Sequence, residues 1–189
     1  LATPLLWAIS GAPDGSVWLG TADGVEVWRG GRIQQAIPGA RLPHPEAYSL
    51  LAETDQVWIG TRAGAAVLRA GRVEEPAVLA PLRNLQINGI LRDRGGRLWF
   101  ASSDGLFALG HDQRLVRYGR SEGLDDTRIR IVHETRDGRL LVGSTRGLYE
   151  WRDGRIVALG QQTGLDADIA VTALLELSNG HWVAGSSNG

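Results

Sequence analysis

Apolar positions in this chain hold no helical period for long. They come in short runs, rich in β-branched and aromatic residues, bounded by Gly, Asp and Asn, which is the pattern of strands and tight turns. The same run recurs. "VWLGTADGVEVW" begins at Val17, "VWIGTRAGAAVL" at Val57, "LWFASSDGLFAL" at Leu98 and "LLVGSTRGLYEW" at Leu140, while "WVAGSSNG" begins at Trp182. Aligned on Trp18, Trp58, Trp99, Leu141 and Val183, the copies are 40, 41, 42 and 42 residues apart. Gly or Ala stands two places on (Gly20, Gly60, Ala101, Gly143, Gly185), then Thr or Ser (Thr21, Thr61, Ser102, Ser144, Ser186). Three further on is Gly in every copy (Gly24, Gly64, Gly105, Gly147, Gly189).

Each position has a physical reading. The large anchor and the small residue two places later share a strand face, as stacked sheets need to interlock. The hydroxyl is placed to bond locally at the strand end, and the Gly supplies a positive φ. Hairpin signals precede the anchor strand at Asp14-Gly15, Gly95-Gly96, Asp137-Gly138 and Asn179-Gly180, with Thr54-Asp55-Gln56 departing in the second copy. A second hairpin series follows at Gly30-Gly31, Ala70-Gly71, His111-Asp112 and Asp153-Gly154. Each unit is therefore four antiparallel strands: inner (from Trp7 to Ser10 in the first copy), anchor, third and outer (Arg32 to Ile37). A four-stranded unit repeating near this length is a propeller blade. The predicted fold is an all-β partial propeller filling 1–189, with blades at about 1–44, 45–84, 85–127 and 128–168 and half a blade at 169–189.

The wording D-x-x-G-x-L-W-hydrophobic-small-[ST]-x-x-G-L in "RDRGGRLWFASSDGLFAL" and "TRDGRLLVGSTRGLYEW" resembles the two-component regulator propeller repeat. The connectors "YGRSEGLDDTRIRIV" and "LGQQTGLDADIAV" also fit it, whereas "IPGARLPHPEAY" and "EEPAVLAPLRNLQI" depart. The resemblance implies a non-enzymatic sensor, periplasmic or otherwise extracytoplasmic, in a bacterial membrane-bound signalling protein. The histidine kinase or diguanylate cyclase output would lie outside these residues. It also implies a longer ring, so that the half blade reads as truncation and the open blade edges as surfaces for self-association.

Composition narrows the chemistry. The chain has 189 residues, 43% hydrophobic, with net charge −1 and charges of both signs intermixed. That excludes the basic stripe a nucleic-acid or anionic-membrane surface needs. No apolar run is long enough to span a bilayer. All basic residues are Arg, and there is no Cys, hence no thiolate chemistry and no disulfide. His44, His111, His133 and His181 show no paired ligand spacing, so neither a metal nor any other cofactor is expected. No G-x-S-x-G elbow marks a nucleophile, and Asp125-Asp126 and Asp166/Asp168 read as turn formers after the connector Gly-Leu.

What varies is the inner strand. Ile9, Leu50, Ile90, Val132 and Leu174 are uniformly aliphatic, as core should be, and are expected to be buried. Two residues earlier stand Trp7, Tyr48, Asn88, Arg130 and Thr172, which differ in size, polarity and charge. Variation on a regular scaffold marks a binding surface. The same face takes the anchor-to-third-strand loops, with Asp23, Arg62, Asp104 and Arg146, and the connectors, with Arg83, Asn84, Arg128 and Arg130. The expected ligand is a small molecule, anionic or sugar-like, that Arg forks would hold. The alternative is a scaffold whose partner is a protein.

Overall fold

The computed structural model describes residues 5–160 and 168–186. Two compact units divide the chain, Leu1–Ile90 and Leu91–Gly189. Every complete repeat is a four-stranded antiparallel meander. The first contains β1 (Leu6–Gly11), β2 (Val17–Thr21), β3 (Gly24–Arg29) and β4 (Arg32–Pro38). The second contains β5 (Ala47–Ala52), β6 (Gln56–Thr61), β7 (Gly64–Arg69) and β8 (Arg72–Glu74). The third runs β9 (Ile87–Arg92), β10 (Leu98–Ser102), β11 (Gly105–Leu109) and β12 (Leu115–Tyr118). The fourth runs β13 (Ile129–Glu134), β14 (Leu140–Ser144), β15 (Gly147–Arg152) and β16 (Arg155–Ala158). A final pair, β17 (Val171–Glu176) and β18 (Trp182–Ser186), is hydrogen-bonded antiparallel. Among the described residues these are propeller blades, four whole and one of two strands. Among the described residues no helix is long and apolar enough to cross a membrane.

The repeated residues do the work their types allow. Thr21, Thr61 and Ser102 donate their hydroxyl protons to the carbonyls of Gly24, Gly64 and Gly105 at 3.0, 2.9 and 2.8 Å. The same oxygens accept from the backbone N–H of Asp23, Ala63 and Asp104, closing each anchor-to-third-strand turn. The closing glycines stand at φ of 107° to 149°, a region other residues resist. The glycine after the anchor is needed for a different reason, close approach. A Cβ on Gly60 would lie 2.7 Å from Ile87 Cγ2, and one on Gly143 would lie 2.7 Å from both Ile131 Cγ2 and Val171 O. Each unit has its own core: Trp18, Val25, Ile37, Leu50 and Ile59 in the first, Trp99, Leu106, Ile129, Val142 and Tyr149 in the second.

The anchor Trp is tied to its hairpin by a carboxylate. Trp99 donates its indole proton to Asp93 at 2.8 Å, and Trp58 donates to Glu53 at 3.1 Å. The blade-two hairpin is one residue shorter, closing from Glu53 N to Gln56 O where blade three closes from Asp93 N to Arg97 O. That accounts for the departure at Thr54-Asp55-Gln56. In the second unit, successive blades are also clamped from the hairpin. Arg94 donates its backbone N–H to Glu134 (2.9 Å) and its guanidinium to Arg136 O (2.7 Å). Arg136 repeats this on Glu176 (2.8 Å) and Leu177 O (3.1 Å).

One expectation about the inner strands needs correction. Leu50 and Val132 are buried, but Ile90 and Leu174 are only half-buried and Ile9 is 65% exposed. On β1 the residues turned toward the second blade are Ala8 and Ser10, whose hydroxyl accepts from Ala52 N–H at 3.0 Å. Ile9 therefore turns to the side of the first blade that no other blade of its unit covers.

Candidate functional site

The varied inner-strand positions share a backbone feature that side-chain patterning does not reveal. The β1–β2 register steps from Leu6↔Thr21 to Ala8↔Gly20, so Trp7 is an extra residue in a β-bulge. Tyr48, Arg130 and Thr172 occupy the same bulge in β5, β13 and β17. A bulge leaves one residue outside the ladder and re-aims its side chain. Trp7, Arg130 and Thr172 are exposed, and Tyr48 and Asn88 half-buried. In β1, β5, β13 and β17 the repeat thus holds one position outside the ladder, and the sequence varies it.

In the first unit these residues meet neighbours. The rings of Trp7 and Tyr48 lie 5.1 Å apart, tilted by 54°. Tyr48 donates its phenolic proton to Glu46 Oε2 at 3.1 Å, and the same oxygen is 3.4 Å from Arg62 Nη1 and 3.8 Å from His44 Nδ1. Burial, with the hydrogen bond to Glu46, raises the Tyr48 phenol above its ordinary value, so it stays a donor at neutral pH. Glu46 was not singled out from sequence, and His44 only as a histidine without paired ligand spacing. The available signal was the departing connector "HPEAY" that carries both. Asn88 accepts from Gln86 Nε2 at 2.7 Å. Arg83 is exposed and forms no ion pair among the described residues, and Asp23 sits in the turn after β2 with its N–H on Thr21.

The second unit places its predicted arginines differently. Arg128 pairs with Asp126 at 3.0 Å, and Arg146 with Asp168 at 2.7 Å. Asp126 also accepts from Thr145, and these bonds hold its carboxyl below the usual range although burial pushes it up. The hydrogen bond from Arg146 to Asp168 raises the guanidinium further. Asp125 accepts from Tyr149, whose phenol is pushed up, first by burial and then by that bond. Asp104 is held outward by Arg117 at 2.7 Å, and Arg130 makes no ion pair among the described residues. Asp166 and Gly189 lie outside the described residues. The Arg set is thus largely one of ion pairs rather than bare forks. Three of the five arginines proposed for a ligand are neutralised in place, and two of the carboxylates that do so, Asp126 and Asp168, were read from sequence as turn formers. Among the described residues no cluster of three or more His, Asp or Glu could hold a metal ion.

Four-stranded antiparallel blades repeated along the chain define a β-propeller. The chain carries a two component regulator propeller repeat, matched at residues 81–104. A search of curated proteins found no match. Among solved structures, the chain is similar to the extracellular domain of BT4673 from B. thetaiotaomicron, described as a one component or hybrid two component system. The TM-score is 0.82 at 21% identity, over 96% of this chain and 25% of that one. It is similar also to the extracellular domain of the B. thetaiotaomicron hybrid two component system BT3049. There the TM-score is 0.80 at 17% identity, over 100% of this chain and 28% of that one. Virginiamycin B lyase from Staphylococcus aureus matches with a TM-score of 0.68 at 16% identity, over 95% of this chain and 62% of that one. The chain spans about a quarter of the length of the two extracellular domains. At these identities the likeness is one of fold.

Proposed function

We propose that this chain is a ligand-recognition segment of an extracytoplasmic bacterial sensor, and that its bulged inner-strand residues make the ligand contacts. The observation that carries the reading is that an inner-strand position differing in size, polarity and charge between copies is, in β1, β5, β13 and β17, the one a bulge releases from the ladder. The blades hold Trp7, Tyr48 and Arg130 outside their own strand pairing. Binding would bias the arrangement of the receptor, and a kinase or diguanylate cyclase outside these residues would read it.

The chemistry favours a sugar-like ligand over an anion. Trp7 and Tyr48 offer apolar ring faces, while Glu46 and Arg62 offer an acceptor and donors whose charges cancel. A hydroxylated ring stacks on aromatic faces and hydrogen-bonds to such a pair, whereas a carboxylate would have to displace Glu46 from Arg62. A thermal-shift screen of mono- and oligosaccharides against organic acids tests this: the sugars are expected to raise the melting temperature and the acids not. A response to acids alone overturns the ligand class. Silence across both sets favours a protein partner.

A further inference from the structure

Glu46 is held in place at its backbone and at its side chain. Its N–H donates to His44 Nδ1 at 3.2 Å, and its carbonyl accepts from the backbone N–H of Arg62 at 3.2 Å. Its carboxylate receives the Tyr48 hydroxyl on Oε2 at 3.1 Å, and Arg62 Nη1 reaches the same oxygen at 3.4 Å. Both donors fall on one oxygen. Oε1 makes no hydrogen bond or ion pair among the described residues, although the side chain is only 25% exposed. Arg62 is the looser partner: its side chain is 60% exposed, and Nε and Nη2 are unpaired among the described residues.

A spare acceptor and spare donors thus stand side by side on one carboxylate–guanidinium pair. The Trp7–Tyr48 ring pair adjoins them, because the Tyr48 hydroxyl is itself bonded to Glu46. A sugar hydroxyl can both donate and accept, and neighbouring hydroxyls on a sugar ring stand about a hydrogen-bond length apart. We propose, resting on the ligand reading above, that Glu46 sets which sugars this site takes: neutral sugars with a vicinal diol, in preference to acidic ones. One hydroxyl of the diol donates to Glu46 Oε1 and its neighbour accepts from Arg62, while the sugar ring lies against the aromatic pair. A uronate carries diols too, but it brings a carboxylate to a guanidinium that is already neutralised. That carboxylate pairs with Arg62 only by displacing Glu46, and is otherwise repelled by it.

The test is calorimetric titration at neutral pH with the methyl glycosides of glucose, galactose and mannose, and with the matching uronates. The parent is expected to bind at least one neutral glycoside about tenfold more tightly than its uronate. Glu46→Gln removes the charge and frees the Arg62 fork. It is expected to weaken the neutral glycoside about tenfold and to bind the uronate more tightly than the parent does. Arg62→Gln removes the fork, and is expected to weaken the glycoside without gaining the uronate. Melting temperatures without ligand separate loss of contact from loss of fold; should Glu46→Gln not fold, Arg62→Gln decides. An unchanged order of preference in Glu46→Gln overturns the inference, as does full glycoside binding by Arg62→Gln or a parent that binds the uronate as tightly as the glycoside. In those cases the ligand reading itself still stands if Trp7→Ala abolishes glycoside binding. Absence of binding by every glycoside and uronate overturns both, and so does binding that ignores Trp7 and Glu46 alike.

Discussion

The indole of Trp99 donates to Asp93 Oδ2 at 2.8 Å, and the same carboxylate accepts from the backbone N–H and Nε of Arg97, both at 2.9 Å. The guanidinium of Arg97 in turn lies 5.2 Å from the Trp99 ring and 4.4 Å from that of Trp151. The Asp and Trp of the repeat are therefore one device: a buried carboxylate that fixes the hairpin and anchors the aromatic core. Asp93→Ala leaves the indole N–H without its acceptor and Arg97 without its counter-charge. The expected cost is about 2–4 kcal/mol, read from urea denaturation. Asp93→Asn keeps an acceptor and is expected to cost less.

The glycine after the anchor supports a second prediction. Gly143→Ala would put a Cβ 2.7 Å from both Ile131 Cγ2 and Val171 O, in the packing between blades four and five. A destabilisation of about 1–3 kcal/mol is expected from overpacking. Blade three has Ala101 at this place, fully buried, so Ala101→Gly should lose stability by opening space instead. Opposite substitutions that both destabilise would show that each junction is fitted to its own residue.

This much was legible from the chain. The anchor, small residue, hydroxyl and glycine recur at fixed offsets because backbone geometry demands those types, and turn chemistry leaves a local signature. The bulges were not legible: Trp7, Tyr48 and Arg130 interrupt the ladder without interrupting the apolar residues on either side. Nor were the clamps, since Arg94 and Arg136 act partly through their backbone N–H, which no residue type reports. Burial of Ile9 was misjudged because whether a blade face is covered depends on a neighbouring blade, not on its own pattern. The ion pairs of Arg62, Arg128 and Arg146 were not legible either, because Glu46, Asp126 and Asp168 come from connectors whose path the repeat does not specify.

Acid stability gives a third prediction. Hydrogen bonds from Arg152 and Arg139, both at 2.8 Å, hold the Glu150 carboxyl down to about 2 from its ordinary 4.5. A depressed carboxyl stabilises the fold fully above its unfolded value, and that stability is lost as pH falls through the window from 4.5 toward 2. Glu150→Gln should lower stability at pH 7 and flatten the fall over that window, as followed by denaturation at stepped pH.

His133 gives a fourth, nearer neutrality. It is half-buried and edge-on to Trp182 at 5.4 Å, and burial lowers its pKa against the opposing pull of Glu176 and Glu134. Its neutral form is favoured in the fold, so stability is present above the ordinary value of 6.5 and declines as pH falls below it. His133→Gln should remove that decline below pH 6.5. An unchanged slope would assign the decline elsewhere.

The most direct test of the central claim, that a bulge residue contacts ligand without holding up the fold, is a paired measurement on Trp7→Ala. The variant is assayed for melting temperature and for the sugar-induced shift of the thermal screen. Trp7 is exposed and outside the ladder and gives up only its ring contact with Tyr48, so stability is expected to stay within about 1.5 kcal/mol of the parent while the sugar response falls away. A variant that keeps the full sugar response would contradict the account.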